Sequence, residues 1–312
     1  MTANTITDKY PSRVEADARL LPRIDPVVHG KEEGPLSRSV LDEFERDGFI
    51  VIRDLLDEGD LVMLRAECER LRRSERIRQS EIAITEPTSG ETRSIFAVQT
   101  VSEVYAGLVR HETILGAVRQ LLGGDVYLHQ TRANLKPGFR GKEFYWHSDF
   151  ETWHAEDGMP SMRAVSCSIA LTDNYEFNGP LMLIPGSHMY FAQCLGRTPD
   201  AHYLKSLKKQ EYGVPSDAQL EWMVKESGIA VPKLQAGSMV IFDCNTMHGS
   251  NSNITPYPRT NIFAVYNSIA NALIEPFAAE AGRPWFLGNR EPEILEPVDF
   301  AVLRSGFSAQ PA

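Results

Sequence analysis

Cysteine is scarce in this sequence of 312 residues, and its cysteines are widely spaced. Cys68, Cys167, Cys194 and Cys244 form no C-x-x-C pair. A zinc knuckle or a dense disulfide framework needs cysteines at short, regular spacing. The spacing therefore excludes both, and we expect reduced, mostly buried thiols.

Long apolar runs are also missing. A transmembrane helix needs about 18 or more consecutive apolar residues, and the sequence has no such run. Residues 1–35 are polar with scattered charges and lack the apolar centre of a signal peptide. We therefore expect a cytoplasmic protein that does not act on a membrane.

Positive charge is in deficit. The chain has 32 Lys and Arg against 42 Asp and Glu, a formal net charge of −10. The densest basic stretch, residues 65–78, is interleaved with Glu67, Glu69 and Glu75, as on a solvated helix face. Nucleic acid is not an expected partner, because binding it requires clustered Lys and Arg.

The remaining composition is that of a globular protein with a large core. Hydrophobic residues make up 42% of the chain, including 14 Phe and 10 Tyr, which is enough to fill such a core. Residues 1–36 lack periodicity and contain four prolines, so they predict an irregular N-terminal arm. We expect residues 37–312 to form a single domain, because β-sandwiches of this length occur as one domain.

Helical patterns come first in this domain. Val40, Leu41 and Phe44 share a helical face that Gly48 would end, and Asp57 can cap a second helix. A third helix is predicted from about 113 to 122, ending at the following glycines.

After residue 126 the hydrophobic period becomes two. Strand-like runs cover 126–136, 144–150, 164–172, 181–184, 238–243 and 260–267. This order predicts a mainly β fold with flanking helices, a double-stranded β-helix (jelly roll, cupin-like) with an N-terminal helical lead-in. The segment 186–237 is long for a connection and has helical signals of its own around 218–225. It is predicted to be an insertion or a lid.

The sharpest chemical feature is the pair His147 and Asp149. On one strand, residues two apart project from the same face, so both could reach one metal ion. His248 follows another apolar strand and could supply a third ligand. Two imidazoles and one carboxylate form the facial triad of non-haem Fe(II) oxygenases.

A fixed cation accompanies this triad. Arg259 lies shortly after His248 and is predicted on the next strand, where its guanidinium could hold a carboxylate bidentately. Iron, an adjacent carboxylate anchor and a jelly roll together imply 2-oxoglutarate and O₂ as co-substrates.

The strand 126–136 has one strongly polar side. Its alternation puts Gln130, Arg132, Asn134 and Lys136 on one face, while Tyr127, Thr131, Ala133 and Leu135 take the other. The polar face could be exposed to solvent, as in many antiparallel sheets, or line a pocket for a carboxylate-bearing ligand. Its nearness in sequence to the His147 strand favours the pocket.

Three segments carry a resemblance to a known family. The stretches F-E-R-D-G-F-I-V-I-R-D-L-L (44–56) and N-G-P-L-M-L-I-P-G-S-H (178–188), with the histidine–aspartate set, resemble the phytanoyl-CoA dioxygenase-like superfamily of 2-oxoglutarate oxygenases. Within it, F-Y-W-H-S-D-F-E-T-W-H-A-E-D-G-M-P (144–160) is similar to the signature of the ectoine hydroxylases. The resemblance covers most of residues 36–270.

The resemblance implies an Fe(II)- and 2-oxoglutarate-dependent dioxygenase, usually a cytoplasmic homodimer. Its expected substrate is ectoine, a compatible solute of osmotic stress, and its products are 5-hydroxyectoine, succinate and CO₂. By position it places the iron on His147, Asp149 and His248. It places 2-oxoglutarate on Phe144, Asn134, Lys136, Ser250 and Arg259, and ectoine on Gln130, Thr152, Trp153, Phe242, Phe263 and Arg283.

Two alternatives remain from the residues alone. A related hydroxylase of proline or another amino acid would keep every metal ligand. A metal-binding jelly roll without turnover would also keep the histidines. Halogenation is disfavoured, because related halogenases lack the carboxylate that Asp149 supplies.

Overall fold

The computed structural model describes residues 7–30, 34–85, 90–199 and 212–307. The strands are β1 (Leu20–Pro22), β2 (Phe49–Ile52), β3 (Ala83–Thr85), β4 (Thr92–Phe96), β5 (Val126–Lys136), β6 (Phe144–His147), β7 (Ala164–Ala170), β8 (Leu181–Leu183), β9 (Tyr190–Ala192), β10 (Met239–Asp243), β11 (His248–Ser250) and β12 (Arg259–Ser268). The helices are α1 (Arg38–Asp47), α2 (Glu58–Arg73), α3 (Glu75–Arg78), α4 (Glu103–Leu108), α5 (Glu112–Leu122), α6 (Asp149–Thr152), α7 (Asp217–Ser227) and α8 (Phe300–Phe307).

Two antiparallel sheets enclose the interior of the fold. The larger has seven strands in the order β2-β10-β7-β12-β5-β4-β3, and the smaller has the order β6-β11-β8. Val240 and Phe242 of β10 pack with Leu181 and Leu183 of β8 in one buried cluster between the sheets. The predicted mainly β architecture is therefore confirmed.

The helical lead-in covers the outer face of the larger sheet. Leu41, Phe44 and Leu64 from α1 and α2 join Met239 and Ile241 of β10 in the largest core cluster. Because side chains alternate along a strand, β10 serves this outer core and the inner cluster at once.

Local signals set the ends of the lead-in helices, as predicted. Gly48 ends α1 in the left-handed conformation at φ 79°, and Gly123 ends α5 in the same way at φ 68°. Asp57 begins α2 with a capping box to Asp60.

A β-bulge corrects the predicted faces of β5. The register with β12 shifts between Val265 and Tyr266, opposite residue 129. The extra residue reverses the alternation, so Leu128 and Ala133 both belong to the outer core cluster. The prediction that Tyr127 shares a face with Thr131 is wrong for this reason, since alternation cannot be carried across a bulge.

The N-terminal arm is built into the fold. Its strand β1 pairs with β9 in a separate two-stranded sheet, and Tyr10 of the arm is fully buried. The predicted insertion or lid at 186–237 contains β9 and α7, while residues 200–211 lie outside the described part. Its role as a lid stays a prediction.

The structure also shows the state of the cysteines and the length and polarity of the helices. All four cysteines are free and buried, as predicted. Within the described ranges, no helix combines the length and apolar character needed to cross a bilayer.

Candidate metal centre

The two predicted histidine ligands lie directly opposite each other on neighbouring strands. His147 ends β6 and His248 begins β11, and they are paired in the antiparallel register. Their ring centroids are 4.2 Å apart. Antiparallel pairing thus joins two ligands that are about a hundred residues apart in sequence.

The aspartate reaches the histidines by a different route from the one predicted. β6 ends at His147, and Asp149 is the first residue of α6, whose N-cap is Ser148. The prediction that His147 and Asp149 lie on one strand is therefore wrong. The chain turns into a helix, and this turn still places Asp149 Oδ1 at 3.6 Å from His147 Nε2 and Asp149 Oδ2 at 3.8 Å from His248 Nε2.

Backbone carbonyls orient both imidazoles. His147 Nδ1 donates to the Tyr145 carbonyl at 2.8 Å, and His248 Nδ1 donates to the Thr246 carbonyl at 3.0 Å. A carbonyl can only accept, so each Nδ1 carries the proton and each Nε2 keeps its lone pair. Both Nε2 atoms face the carboxylate of Asp149, and Ser166 Oγ donates to that carboxylate at 3.1 Å.

Burial and mutual charge keep the three groups ready to ligate a cation. Burial and the neighbouring His147 lower the pKa of His248 to about 4, which leaves it neutral at physiological pH. Burial alone would raise the pKa of Asp149, but the two imidazoles of His248 and His147, when protonated, and the permanent cation Arg132 lower it well below its usual value. One ligand atom from each residue lies within 4.8 Å of the others. This donor set fits a divalent ion such as Fe(II), held on one face.

The sequence did not predict one hydrogen bond between the two segments that carry the metal ligands. Ser148 Oγ donates to Asn245 Oδ1 at 3.0 Å, and Asn245 Nδ2 donates to the carbonyls of His188 and Tyr190. Asn245 belongs to the turn that leads to His248. The pattern Ser-x-x-Glu at 148–151 is a helix-start signal and could have predicted the cap, but nothing in the sequence points to Asn245.

A cationic cavity adjoins the metal ligands. His147 and His248 form part of its wall together with Phe144 and Ser250. Its basic lining residues are Arg93, Arg132, Lys136, Lys142 and Arg259. Among the residues that the structure describes, no Asp or Glu lines it. Such an excess of positive charge calls for an anionic ligand.

Two of these cations sit across one strand pair. Arg259 begins β12 directly opposite Lys136 of β5, and its Nη2 donates to Asn134 Oδ1 at 3.1 Å. Arg259 Nε is buried and has no acceptor in the described part of the chain. Lys136 Nζ donates to Ser250 Oγ at 2.8 Å. Burial, Arg259 and Arg93 lower the pKa of Lys136 to about 6.

Three predicted aromatic residues surround the ligands. Phe144 lies 4.9 Å from His147 and Phe242 lies 4.9 Å from His248, measured between ring centroids. Phe263 stacks under the Arg132 guanidinium at 4.7 Å. They form an apolar wall beside the metal position, and Arg132, whose role the sequence left open, packs on that wall.

Thr152 and Trp153 follow Asp149 in the same helical segment. The Trp153 side chain is buried and contacts the ring of His129 at 5.0 Å. Thr152 Oγ1 is buried and finds no hydrogen-bond partner among the described residues. A buried hydroxyl without a partner is costly, which favours a bound ligand as its hydrogen-bond partner.

The last two predicted residues line a second cavity. Gln130 and Arg283 border it together with His129, and Gln130 Nε2 donates to the Leu287 carbonyl at 2.9 Å. Arg283 is held bidentately by the buried Asp157, at 2.9 and 2.5 Å. The structure thus separates these two residues from the cavity of Lys136 and Arg259.

The fold and the site together define a class. An antiparallel β-sandwich that carries a His–Asp–His facial triad beside a cationic cavity is the architecture of the non-haem Fe(II), 2-oxoglutarate-dependent oxygenases. The chain belongs to the phytanoyl-CoA dioxygenase (PhyH) family, whose profile matches residues 44–261.

Relatives and solved structures narrow the comparison. Ectoine dioxygenase from Bordetella parapertussis is 52% identical over 295 residues, covering 94% of this chain and 96% of that protein. The crystal structure of EctD from S. alaskensis with 2-oxoglutarate and 5-hydroxyectoine superposes with a TM-score of 0.86 at 44% identity, over 94% of this chain and 98% of that one. The same protein with bound Fe gives a TM-score of 0.85 at the same identity and coverage.

Proposed function

We propose that this chain is an Fe(II)- and 2-oxoglutarate-dependent dioxygenase that hydroxylates ectoine to 5-hydroxyectoine, with release of succinate and CO₂. The observation that carries the proposal is the His147–Asp149–His248 cluster beside an anion-binding cavity. It occurs in a chain that is 52% identical to an ectoine dioxygenase over nearly its whole length.

The triad would hold the iron through His147 Nε2, His248 Nε2 and one Asp149 oxygen. When bound, iron with 2-oxoglutarate supplies the activation of O₂ and the oxidising power. The chain contributes the preset tautomers of both histidines and the Ser166 hydrogen bond that aims the carboxylate. A carboxylate at position 149 also argues against halogenation, which needs that position free.

The cationic cavity would bind 2-oxoglutarate. Arg259 offers an unused Nε, and Lys136 with Ser250 offers a second donor pair for the carboxylate far from the iron. Asn134 fixes the Arg259 guanidinium by accepting from Nη2, and Phe144 closes the side next to His147. This assignment neutralises the excess positive charge of the cavity lining.

Ectoine would bind against the apolar wall beside the metal position. It is a small zwitterion with a delocalised amidinium ring, and such cations stack on aromatic faces. Trp153, Phe242 and Phe263 would exclude water from the ring, and Thr152 would contribute its hydroxyl. Gln130 and Arg283 belong to the set that the resemblance implies, and both line the second cavity.

The proposal extends to the state of the protein in the cell. We infer a cytoplasmic homodimer, because the resemblance of the sequence to the ectoine hydroxylases implies both properties. Light scattering of the purified protein measures the oligomeric state.

Two measurements test the function. Anaerobic Fe(II) plus 2-oxoglutarate should give a weak visible charge-transfer band, and ectoine should then yield succinate and a product heavier by one oxygen atom. Proline in place of ectoine is the comparison substrate. Turnover of proline alone would contradict the ectoine assignment. Retained metal with neither band nor succinate would identify a binding module instead of an oxygenase.

A further inference from the structure

An arginine of the N-terminal arm is buried beneath the segment that follows Asp149. Arg13 Nε and Nη2 donate to the two carboxylate oxygens of Glu151 at 2.7 and 3.0 Å. The same Nη2 donates to Glu156 Oε1 at 3.0 Å. All three side chains are at most 5% exposed. One guanidinium therefore ties together two acids that are five positions apart.

The two acids bracket the proposed ectoine contacts. Glu151 lies in α6, and Glu156 lies in the π-helical turn Trp153–Asp157 that continues it. Thr152 and Trp153 stand between them. A π-helical turn is rare and frequently occurs at functional sites. A clamp on Glu151, just before the turn, and on Glu156, within it, would hold the side chains between them in one orientation.

The surroundings of Arg13 are built to hold this clamp. Arg13 has φ 58°, in the left-handed region that non-glycine residues rarely adopt. Ser12 Oγ donates to Glu151 Oε1 at 2.5 Å. Arg13 Nη1 donates to Thr198 Oγ1 at 3.0 Å. Strained backbone persists where the surrounding structure fixes it, and it concentrates at functional sites.

The packing on the other side of the clamp is equally tight. A Cβ at Gly213 would lie 2.5 Å from Glu151 Oε2 and 2.8 Å from Arg13 Nη2, and Gly213 has φ +69°. The chain on both sides of the undescribed stretch 200–211 therefore packs on Arg13 and Glu151, through Thr198 and Gly213.

We propose that Arg13 is a positioning residue for substrate binding: by clamping Glu151 and Glu156 it sets the orientation of Thr152 and Trp153 toward ectoine. The inference rests on the proposed function, since ectoine is the ligand that these two residues would contact. A guanidinium fork is required, because a lysine ammonium has no planar pair of donors to hold a carboxylate bidentately while reaching a second one.

Arg13→Lys separates geometry from charge. Lysine keeps a buried cation beside both acids, so folding should survive, but it loses the fork. We expect the KM for ectoine to rise about tenfold, roughly the value of one charge-assisted hydrogen bond. The KM for 2-oxoglutarate and the Fe(II)–2-oxoglutarate band should stay within about twofold of the parent. Arg65→Lys is the matched control, because Arg65 binds the Leu171 carbonyl from the outer helix α2.

Amide hydrogen exchange provides a readout that needs no substrate. In Arg13→Lys, peptides covering 149–157 should exchange faster, while peptides of β7 should not change. A parent protein with no activity on ectoine would refute the proposed function, and the exchange result would still decide whether Arg13 orders this segment.

Three outcomes would overturn the proposal. One is an unchanged ectoine KM in Arg13→Lys and Arg13→Gln together with a lower unfolding temperature, which would mean a purely structural ion pair. Another is loss of the Fe(II)–2-oxoglutarate band, which would mean that Arg13 supports the metal ligands instead. The third is unchanged exchange in 149–157.

Discussion

His147 and His248 face each other in register across β6 and β11, with their ring centroids 4.2 Å apart. Each Nδ1 donates to a carbonyl two residues earlier in its own chain segment, so both Nε2 atoms point to the same position. The centre is thus preset by the backbone before a metal arrives. This relationship makes the metal site sensitive to single substitutions.

His248→Ala should remove bound iron and activity together. Two remaining ligands hold a labile divalent ion poorly, and the substitution also opens the position opposite His147. Iron content after gel filtration and the Fe(II)–2-oxoglutarate band measure the loss. His111→Asn is the control, because asparagine can keep the N-cap of α5. Turnover by iron-loaded His248→Ala would refute the triad.

Arg259→Gln should weaken 2-oxoglutarate binding by roughly 10- to 100-fold, since a hydrogen bond to a charged group contributes about 1.5–3 kcal/mol. The KM for ectoine should change little. Steady-state kinetics with each substrate varied in turn separate the two effects. An equal rise in both KM values would mean a general distortion of the cavity and would count against a carboxylate anchor at Arg259.

The affinity for 2-oxoglutarate should fall as the pH rises above about 6. The pKa of Lys136 is lowered to about 6 by burial, Arg259 and Arg93, with Glu143 acting in the opposite direction. A bound carboxylate favours the charged ammonium and raises this pKa, so binding takes up a proton above pH 6. Anaerobic titration of the band between about pH 6 and 8 measures the slope. Lys136→Arg stays protonated and should flatten it; an equal slope in that variant would exclude Lys136 as its source.

Thr152→Val should raise the KM for ectoine about five- to tenfold without lowering the unfolding temperature. The Thr152 hydroxyl is buried and without a partner in the described structure, so its replacement by an isosteric methyl removes an unsatisfied polar group. Thermal unfolding and kinetics are measured on the same preparation. A clear loss of stability would show that the hydroxyl bonds within the protein instead of waiting for a ligand.

Ser148→Ala and Asn245→Ala should each weaken Fe(II) binding, because their hydrogen bond joins the segments that carry Asp149 and His248. Each should also destabilise the fold by about 1–3 kcal/mol, the cost of leaving a buried partner unsatisfied. The double variant should lose less than the sum of both, as residues that share one bond are coupled. Additive losses would show that the two side chains act independently.

Local patterns in the sequence predicted about half of the elements. Apolar spacing with Asp57, Gly48 and Gly123 located three helices, and alternation located β5 from Val126 to Lys136. The predictions failed where the period is interrupted: at the bulge opposite Val265 and at the helix that begins with Asp149. The Ser148 cap signal was present in the sequence, but a two-residue spacing favoured a strand.

The candidate site, too, was predicted only in part. Residue types and spacing indicated the metal ligands and Arg259, and resemblance indicated the substrate. The sequence did not reveal the Ser148–Asn245 bond, the Arg13 clamp, or the Asp157 carboxylate that holds Arg283. Each of these joins segments about a hundred or more residues apart, and no local pattern encodes such a partner.

By itself, the sequence determined that helices precede the main run of strands and which residue types could bind a metal, because propensity, capping and donor type are properties of neighbouring residues. Only the tertiary structure decided which strand pairs with which, and so where the lone pairs of His147 and His248 converge. Convergence depends on strand register and on buried ion pairs, which arise from packing across the whole chain.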